Sequence, residues 1–372
     1  LLAHHTLVAE DGKITALLPN DAVQELPPQA QMIDANGAYA APAFIDLHIH
    51  GLAGHGPENA SEEDLLQMSL ALAGLGVGAF CPTLYCATPQ QMLHILRATS
   101  GAFGKEKGAK LLGFHLEGPF ISPAKPGVMK PQDYLPPDAA LLPQLYEAAR
   151  GHITNITLAP ELAGLEGIIS FCKEHHILIQ AGHTNATYEE FMAAARQGVT
   201  HATHMFNAMS PFTHRAPGAA GAVLMQPEIS CEIIADGVHV HPDVVSFLGR
   251  VKPPQNIALV TDALKPTAQP QGPFIANGEE VVLEGGVWRR KTDKVIAGSA
   301  LTMLKGVENL TRFGFTLPQA AACASAVPAR LLGLTGRGTL TPGAVGDIVL
   351  FDKQFKLIAT LLHGQVFPPA QY

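Results

Sequence analysis

The stretch AFIDLHIHG, residues 43–51, decides how the chain is read. A strand turns alternate side chains to opposite faces, so Asp46, His48 and His50 share one face and Ile45, Leu47 and Ile49 the other. A run this apolar is a buried strand, and it carries two imidazoles at its C-terminal end. Seven further runs of similar character follow: 77–83 (VGAFCPT), 110–118 (KLLGFHLEG), 153–160 (ITNITLAP), 177–183 (ILIQAGH), 199–204 (VTHATH), 229–236 (ISCEIIAD) and 256–263 (NIALVTDA). Segments of helical period lie between most of them. One is SEEDLLQMSLALAGLG after the first strand, where Ser61 and Asp64 have the spacing of a helix-capping pair. Eight strands alternating with helices predict an α/β chain folded as a (β/α)8 TIM-like barrel. A doubly wound open sheet is the alternative, but no glycine-rich phosphate fingerprint follows the first strand.

In such a barrel the chemistry sits where the strands end. The expected ends carry His48 and His50 (strand one), Glu117 (three), His183 (five), His204 (six) and Asp262 (eight). Each has a bland reading. His183 or His204 alone is a satisfied core histidine, Glu117 a solvated loop carboxylate, and Asp262 the cap of the next turn. All six together would be costly to bury without partners, and a bound divalent cation would satisfy them together. Asp46 faces the same way but deeper. His201, three residues before His204, faces the opposite side and is not counted as a ligand.

The two ends of the chain differ from the middle. Residues 5–19 (HTLVAEDGKITALLP) form two extended runs about Asp11-Gly12. Residues 338–352 and 356–367 read the same way, with turns at Pro342-Gly343 and His363-Gly364. Residues 1–41 and 338–372 are therefore expected to pair as one small flanking β-sandwich domain, with 42–337 as the barrel. The 372 residues include 24 Lys+Arg and 32 Asp+Glu, a formal charge of −8, which argues against nucleic-acid or acidic-membrane partners. With 47% hydrophobic and 15% charged residues the chain can bury a large core. Five cysteines without a CxxC exclude a disulfide scaffold and fit a reducing, cytoplasmic setting. No Asp, Glu, Lys or Arg occurs from Leu65 to Leu96, but glycines and prolines interrupt that stretch. It reads as a buried helix and a buried strand rather than a membrane span.

Eight motifs occur in order: APAFIDLHIHG (41–51), GFHLEGPF (113–120), AGHTNAT (181–187), THMFNAM (203–209), HRAPGAAGA (214–222), DGVHV (236–240), LVTDA (259–263) and AGSALTM (297–303). In this series the chain resembles the N-acetylglucosamine-6-phosphate deacetylases of the amidohydrolase superfamily. The resemblance implies a barrel with a flanking β-sandwich, and a cytoplasmic homodimer that releases acetate from a sugar phosphate in aminosugar catabolism. It implies Glu117, His183 and His204 as principal ligands, with His48 and His50 allowing a second ion. Zinc is the first expectation, and iron, manganese or cobalt the alternatives. It implies Asp262 as acid/base and His239 as the contact to the amide. Asn207 and Ala208 would contact the sugar phosphate, and Arg215 its phosphate in the neighbouring subunit's site. Ile296, Ala297 and Gly298 would form a loop closing on the sugar. Many members carry a histidine two residues after the glycine of KxG. Here AKPGVMKP (124–131) places Val128 and Met129 at that substrate contact. N-acetylgalactosamine 6-phosphate, or a non-phosphorylated amide, stays open as the alternative substrate.

Overall fold

The computed structural model describes residues 2–23 and 29–370. Expectations for residues 1, 24–28 and 371–372 fall outside these. The eight expected strands all form: Phe44–Ile49, Val77–Leu84, Phe114–Glu117 with a lead-in at Lys110–Leu111, Ile153–Leu158, Leu178–Ala181, His201–Ala202, Ser230–Ile234 and Ile257–Val260. They are called strands one to eight below. They lie side by side in chain order and run parallel. The ring closes where Asp262 N–H donates to the His48 carbonyl at 2.8 Å and His50 N–H to that of Ala263 at 3.0 Å. A helix follows each strand, from Glu62–Ala73 after strand one to Met303–Arg312 after strand eight. Closure leaves the parallel strands no free edge, and the helices cover their outer faces.

Local chemistry explains the helix starts. Ser61 Oγ accepts the Asp64 N–H at 3.3 Å, as the spacing predicts. The reciprocal half of that capping box is not made, because the Asp64 carboxylate accepts from Asn59 at 2.9 Å and bonds His55. Thr187 with Glu190 and Thr88 with Gln91 make both halves. The charge-free stretch 65–96 resolves into the helix Glu62–Ala73, the wholly buried strand Val77–Leu84 and the helix Pro89–Thr99. Among the described residues no helix is long and apolar enough to cross a membrane. Phe80, Phe114 and Leu116 meet Leu65, Met68 and Leu145 in one continuous core.

The barrel interior is unusually polar. Thr83, His115, Asn155, Thr157, Gln180, Thr203 and Glu232 are all fully buried. They satisfy one another across the strands: His115 with Thr157 at 2.8 Å, Thr157 with Thr203 at 2.7 Å, and Asn155 to Gln180 at 2.7 Å. His115 is thus a bonded core histidine, held on its other nitrogen by Thr83 at 3.2 Å.

At the chain ends, His5–Glu10 and Lys13–Pro19 form an antiparallel hairpin, and Tyr39–Pro42 joins Ile348–Phe351, Leu357–Leu362 and Gln365–Phe367 in a four-stranded sheet. Ile14 N–H to the Ala344 carbonyl, at 2.8 Å, ties the hairpin to the C-terminal segment. We propose residues 1–41 and 338–372 as the small domain and 42–337 as the barrel. A second four-stranded antiparallel sheet was not expected. It comprises Ile275–Ala276, Glu279–Glu284, Val287–Arg290 and Ile296–Ser299, between strand eight and its helix. Ile296, Ala297 and Gly298 therefore lie on a strand, not on a loop.

Candidate metal and catalytic site

Glu117, the last residue of strand three, stands at the centre. Four imidazole nitrogens converge on its buried carboxylate. His183 Nε2 lies 3.1 Å, His204 Nε2 3.2 Å and His48 Nε2 3.5 Å from Oε1, and His50 Nε2 lies 3.3 Å from Oε2. Asp262 Oδ1 faces the pair from strand one, 3.5 Å from His48 Nε2 and 3.3 Å from His50 Nε2. The six strand-end residues singled out above thus come together. Five of them form two ligand groups that share Glu117: His48, His50 and Glu117, and Glu117, His183 and His204. His201 belongs to neither; its Nδ1 pairs with Ser230 Oγ at 2.7 Å.

Backbone conformation places these side chains. His183 (φ 46°), His204 (φ 27°) and Asp262 (φ 48°) all adopt the left-handed conformation just beyond their strands. For a residue with a Cβ this costs on the order of 1–2 kcal/mol, and it recurs where function demands it. Hydrogen bonds hold each one. Ser122 N–H donates to the His183 carbonyl at 2.8 Å, His204 N–H to Glu232 at 3.0 Å, and Asp262 N–H to the His48 carbonyl.

The ring partners select the ligand atom. A carbonyl only accepts, so Lys125 O, 2.9 Å from His183 Nδ1, takes the proton there and leaves the Nε2 lone pair toward Glu117. Glu232 Oε2, 3.0 Å from His48 Nδ1, does the same for His48. This is how metal-bound histidines are commonly oriented. Gly127 lets the loop approach His183: an added Cβ would sit 3.0 Å from its Cε1, and φ is +58°. The Tyr85 ring stacks on His50 with centroids 3.7 Å apart.

These donors fit a divalent cation. His48 Nε2 is buried without a hydrogen-bond partner. Glu117 Oε1, His183 Nε2 and His204 Nε2 form a triangle with sides of 3.1, 3.2 and 3.2 Å. Ligands at about 2.0–2.1 Å in tetrahedral arrangement lie roughly 3.3 Å apart, and three protein ligands leave a position open for reaction. The electrostatics agree. Burial opposes charge on Glu117, yet His48, His183, His204 and His50 outweigh it and hold the carboxyl well below its usual range. Burial likewise raises Asp262 and lowers His48. His48 and His50 nevertheless hold Asp262 low, and Glu232, Asp262 and Glu117 push His48 up to about 10. A pocket that draws protons onto imidazole calls for positive charge.

The remaining candidates lie outside the two ligand groups. His239 is half-buried, and its Nδ1 lies 2.6 Å from Asp236 Oδ2. Asp236 Oδ1 also accepts the N–H groups of Val238 and His239 at 2.8 and 2.9 Å. Asn207 turns its amide to the carbonyls of His204 and Met205, both at 3.2 Å, and Ala208 (φ 45°) accepts from Thr184 N–H at 3.0 Å. Arg215 lies in the exposed segment 211–216. Val128 and Ala297 line a cleft with Tyr85, Leu264, Glu279 and Arg290. Met129 is buried beside it against Tyr85, Leu264 and Trp288. Gly298 backs onto the segment just after strand eight, where Ser299 N–H donates to the Asp262 carbonyl at 2.8 Å. Glu232, Asp236 and Tyr85 were not singled out by the sequence reading. Glu232 was findable, being the lone charged residue inside the apolar run ISCEII.

Residues 39–367 match the amidohydrolase family. The chain is 32% identical to the N-acetylglucosamine-6-phosphate deacetylase of Lysinibacillus sphaericus, over 96% of this chain and 92% of that protein. It is 33% identical to the N-acetylgalactosamine-6-phosphate deacetylase of Escherichia coli O157:H7, over 98% and 95%. Among solved structures, a mutant N-acetyl-D-glucosamine-6-phosphate deacetylase of Mycobacterium smegmatis in complex with N-acetyl-D-glucosamine-6-phosphate superposes with a TM-score of 0.85. That match is at 28% identity and covers 97% of this chain and 94% of that one.

Proposed function

This chain belongs to the amidohydrolase family, and from that premise we propose that it hydrolyses N-acetylglucosamine 6-phosphate to glucosamine 6-phosphate and acetate, a step of aminosugar catabolism. The observation that carries this reading is the Glu117 carboxylate ringed by four imidazole nitrogens, with Asp262 beside them. Glu117, His183 and His204 would hold one divalent cation, zinc first among the candidates, and His48 and His50 would share Glu117 with a second. When bound, such a cation supplies Lewis acidity, polarising a carbonyl oxygen and making water a better nucleophile near neutral pH.

The chain's own residues do the rest. Asp262, held as a carboxylate by His48 and His50, accepts a proton from the attacking water at Oδ1. As the C–N bond breaks it returns that proton to the amide nitrogen, so one group serves as base and then as acid. Asp236 accepts from His239 Nδ1 and orients the ring; as an imidazolium, His239 donates from Nε2 to the carbonyl oxygen as charge develops there. Arg215 recognises the 6-phosphate with a fork of N–H donors, supported by the backbone at Asn207 and Ala208. Its exposed segment suits delivery to a neighbouring subunit of a homodimer. Val128, Met129 and the strand Ile296–Gly298 shape the sugar's side of the cleft. Five cysteines, all buried and free, support a cytoplasmic setting.

Acetate release from N-acetylglucosamine, with and without the 6-phosphate, tests this in the wild type and in Arg215→Ala. The wild type should prefer the phosphate. The variant should lose most of that preference, since a charge-assisted contact is worth about 1.5–3 kcal/mol. A preference unchanged in Arg215→Ala would move the phosphate elsewhere. Faster release from N-acetylgalactosamine 6-phosphate would overturn the gluco assignment.

A further inference from the structure

Glu232 lies on strand seven, wholly buried, and belongs to neither ligand group. Its Oε2 accepts from His48 Nδ1 and from the His204 backbone N–H, each at 3.0 Å. Its Oε1 accepts from the Gln180 amide at 2.7 Å. Gln180 is fixed in turn, since its own oxygen accepts from Asn155 at 2.7 Å and Asn155 also donates to the Leu47 carbonyl at 3.3 Å. A buried carboxylate without partners would be costly, and here every bond it makes is to a donor that a neighbour orients. One oxygen atom therefore touches one residue of each ligand group.

We propose that Glu232 is a positioning residue that couples the two cation sites. It keeps the His48 proton on Nδ1, so that Nε2 offers its lone pair toward Glu117 and Asp262. It also pins His204 in its left-handed conformation, so that Nε2 meets Glu117 Oε1. The inference rests on the metal reading given above. The His115 ring packs edge-on against His48, with centroids 4.5 Å apart. Both His115 nitrogens are engaged by Thr83 and Thr157, so it offers His48 no competing bond. Without the carboxylate, His48 is free to place its proton on Nε2 and cease to be a ligand. His204 loses only a backbone bond and keeps its ring contacts. The His48/His50/Glu117 site should therefore weaken more than the Glu117/His183/His204 site.

The test titrates metal-stripped wild type and Glu232→Gln with Co2+, followed by visible absorption, and with Zn2+ against a competing chelator, counting ions per chain. The amide is nearly isosteric but cannot accept on both sides. The wild type should take up two ions. Glu232→Gln should bind the second one about 10–100-fold more weakly, as expected when a ligand's supporting bond is removed, and the first less so. A wild type that binds no ion sinks the metal reading itself. A wild type that binds one ion, or two with Glu232→Gln unchanged within about twofold, overturns this inference and leaves that reading standing. Should the variant not fold, nitrogen-15 NMR of the zinc-loaded wild type decides: His48 protonated at Nδ1 is expected, and at Nε2 contradicts the role.

Discussion

Asp262 and Glu117 are two buried carboxylates in one pocket with different surroundings. Glu117 has both oxygens occupied by imidazoles, whereas Asp262 presents Oδ1 to the strand-one pair alone. Asp262→Asn should keep the bound cation and lose roughly 100-fold or more in kcat, because an amide cannot accept the water's proton. Near-normal turnover in that variant, with metal content measured alongside, would remove the assignment. Six of the central residues were legible in the sequence for one reason: an ionisable side chain ending an apolar strand needs a partner. Glu232 obeys the same rule but lies inside its strand, so a search of strand ends passes over it. Tyr85 lies beyond the end of strand two and only the fold brings it to His50, whereas Asp236 is three residues before His239 and pairs with it locally.

Among the elements, the barrel strands read easily because burial on both faces makes continuous apolar runs. The sheet between 275 and 299 did not, since its strands are half-exposed and carry charges such as those in EEVVLE (279–284). Its turns were nevertheless written plainly. Asn277-Gly278 and Gly285-Gly286 all have positive φ, the pairing that tight hairpins require. The last strand of this sheet reaches the backbone of Asp262: Ser299 N–H donates to the Asp262 carbonyl at 2.8 Å, and Leu264 N–H to that of Ser299 at 3.3 Å. Only glycine fits at 298, where an added Cβ would lie 2.4 Å from Leu264 Cδ2 and 2.9 Å from the Asp262 carbonyl oxygen. Gly298→Ala should thus push this strand away, costing about 1–3 kcal/mol of stability. Turnover should fall while the Glu117/His183/His204 ion stays bound. Thermal unfolding with metal analysis checks this, and unchanged kcat would show that the strand does not position Asp262.

At the scale of the whole molecule, a chain with a formal charge of −8 offers an anionic substrate no global attraction. Strands one, three, five, six and eight each bring a donor to one mouth, so the site exists only when the ring is closed by Asp262 and His50. On the proposed function, metal binding, acid/base chemistry and phosphate recognition would be separate tasks on separate segments, with a cation common to the first two. Acetate release from N-acetylglucosamine 6-phosphate, by protein stripped with a chelator and then titrated with zinc, tests this account most directly. Stripped protein should release essentially none, and activity should return in proportion to bound zinc. Undiminished release by the stripped protein, or none by the fully loaded one, would contradict it.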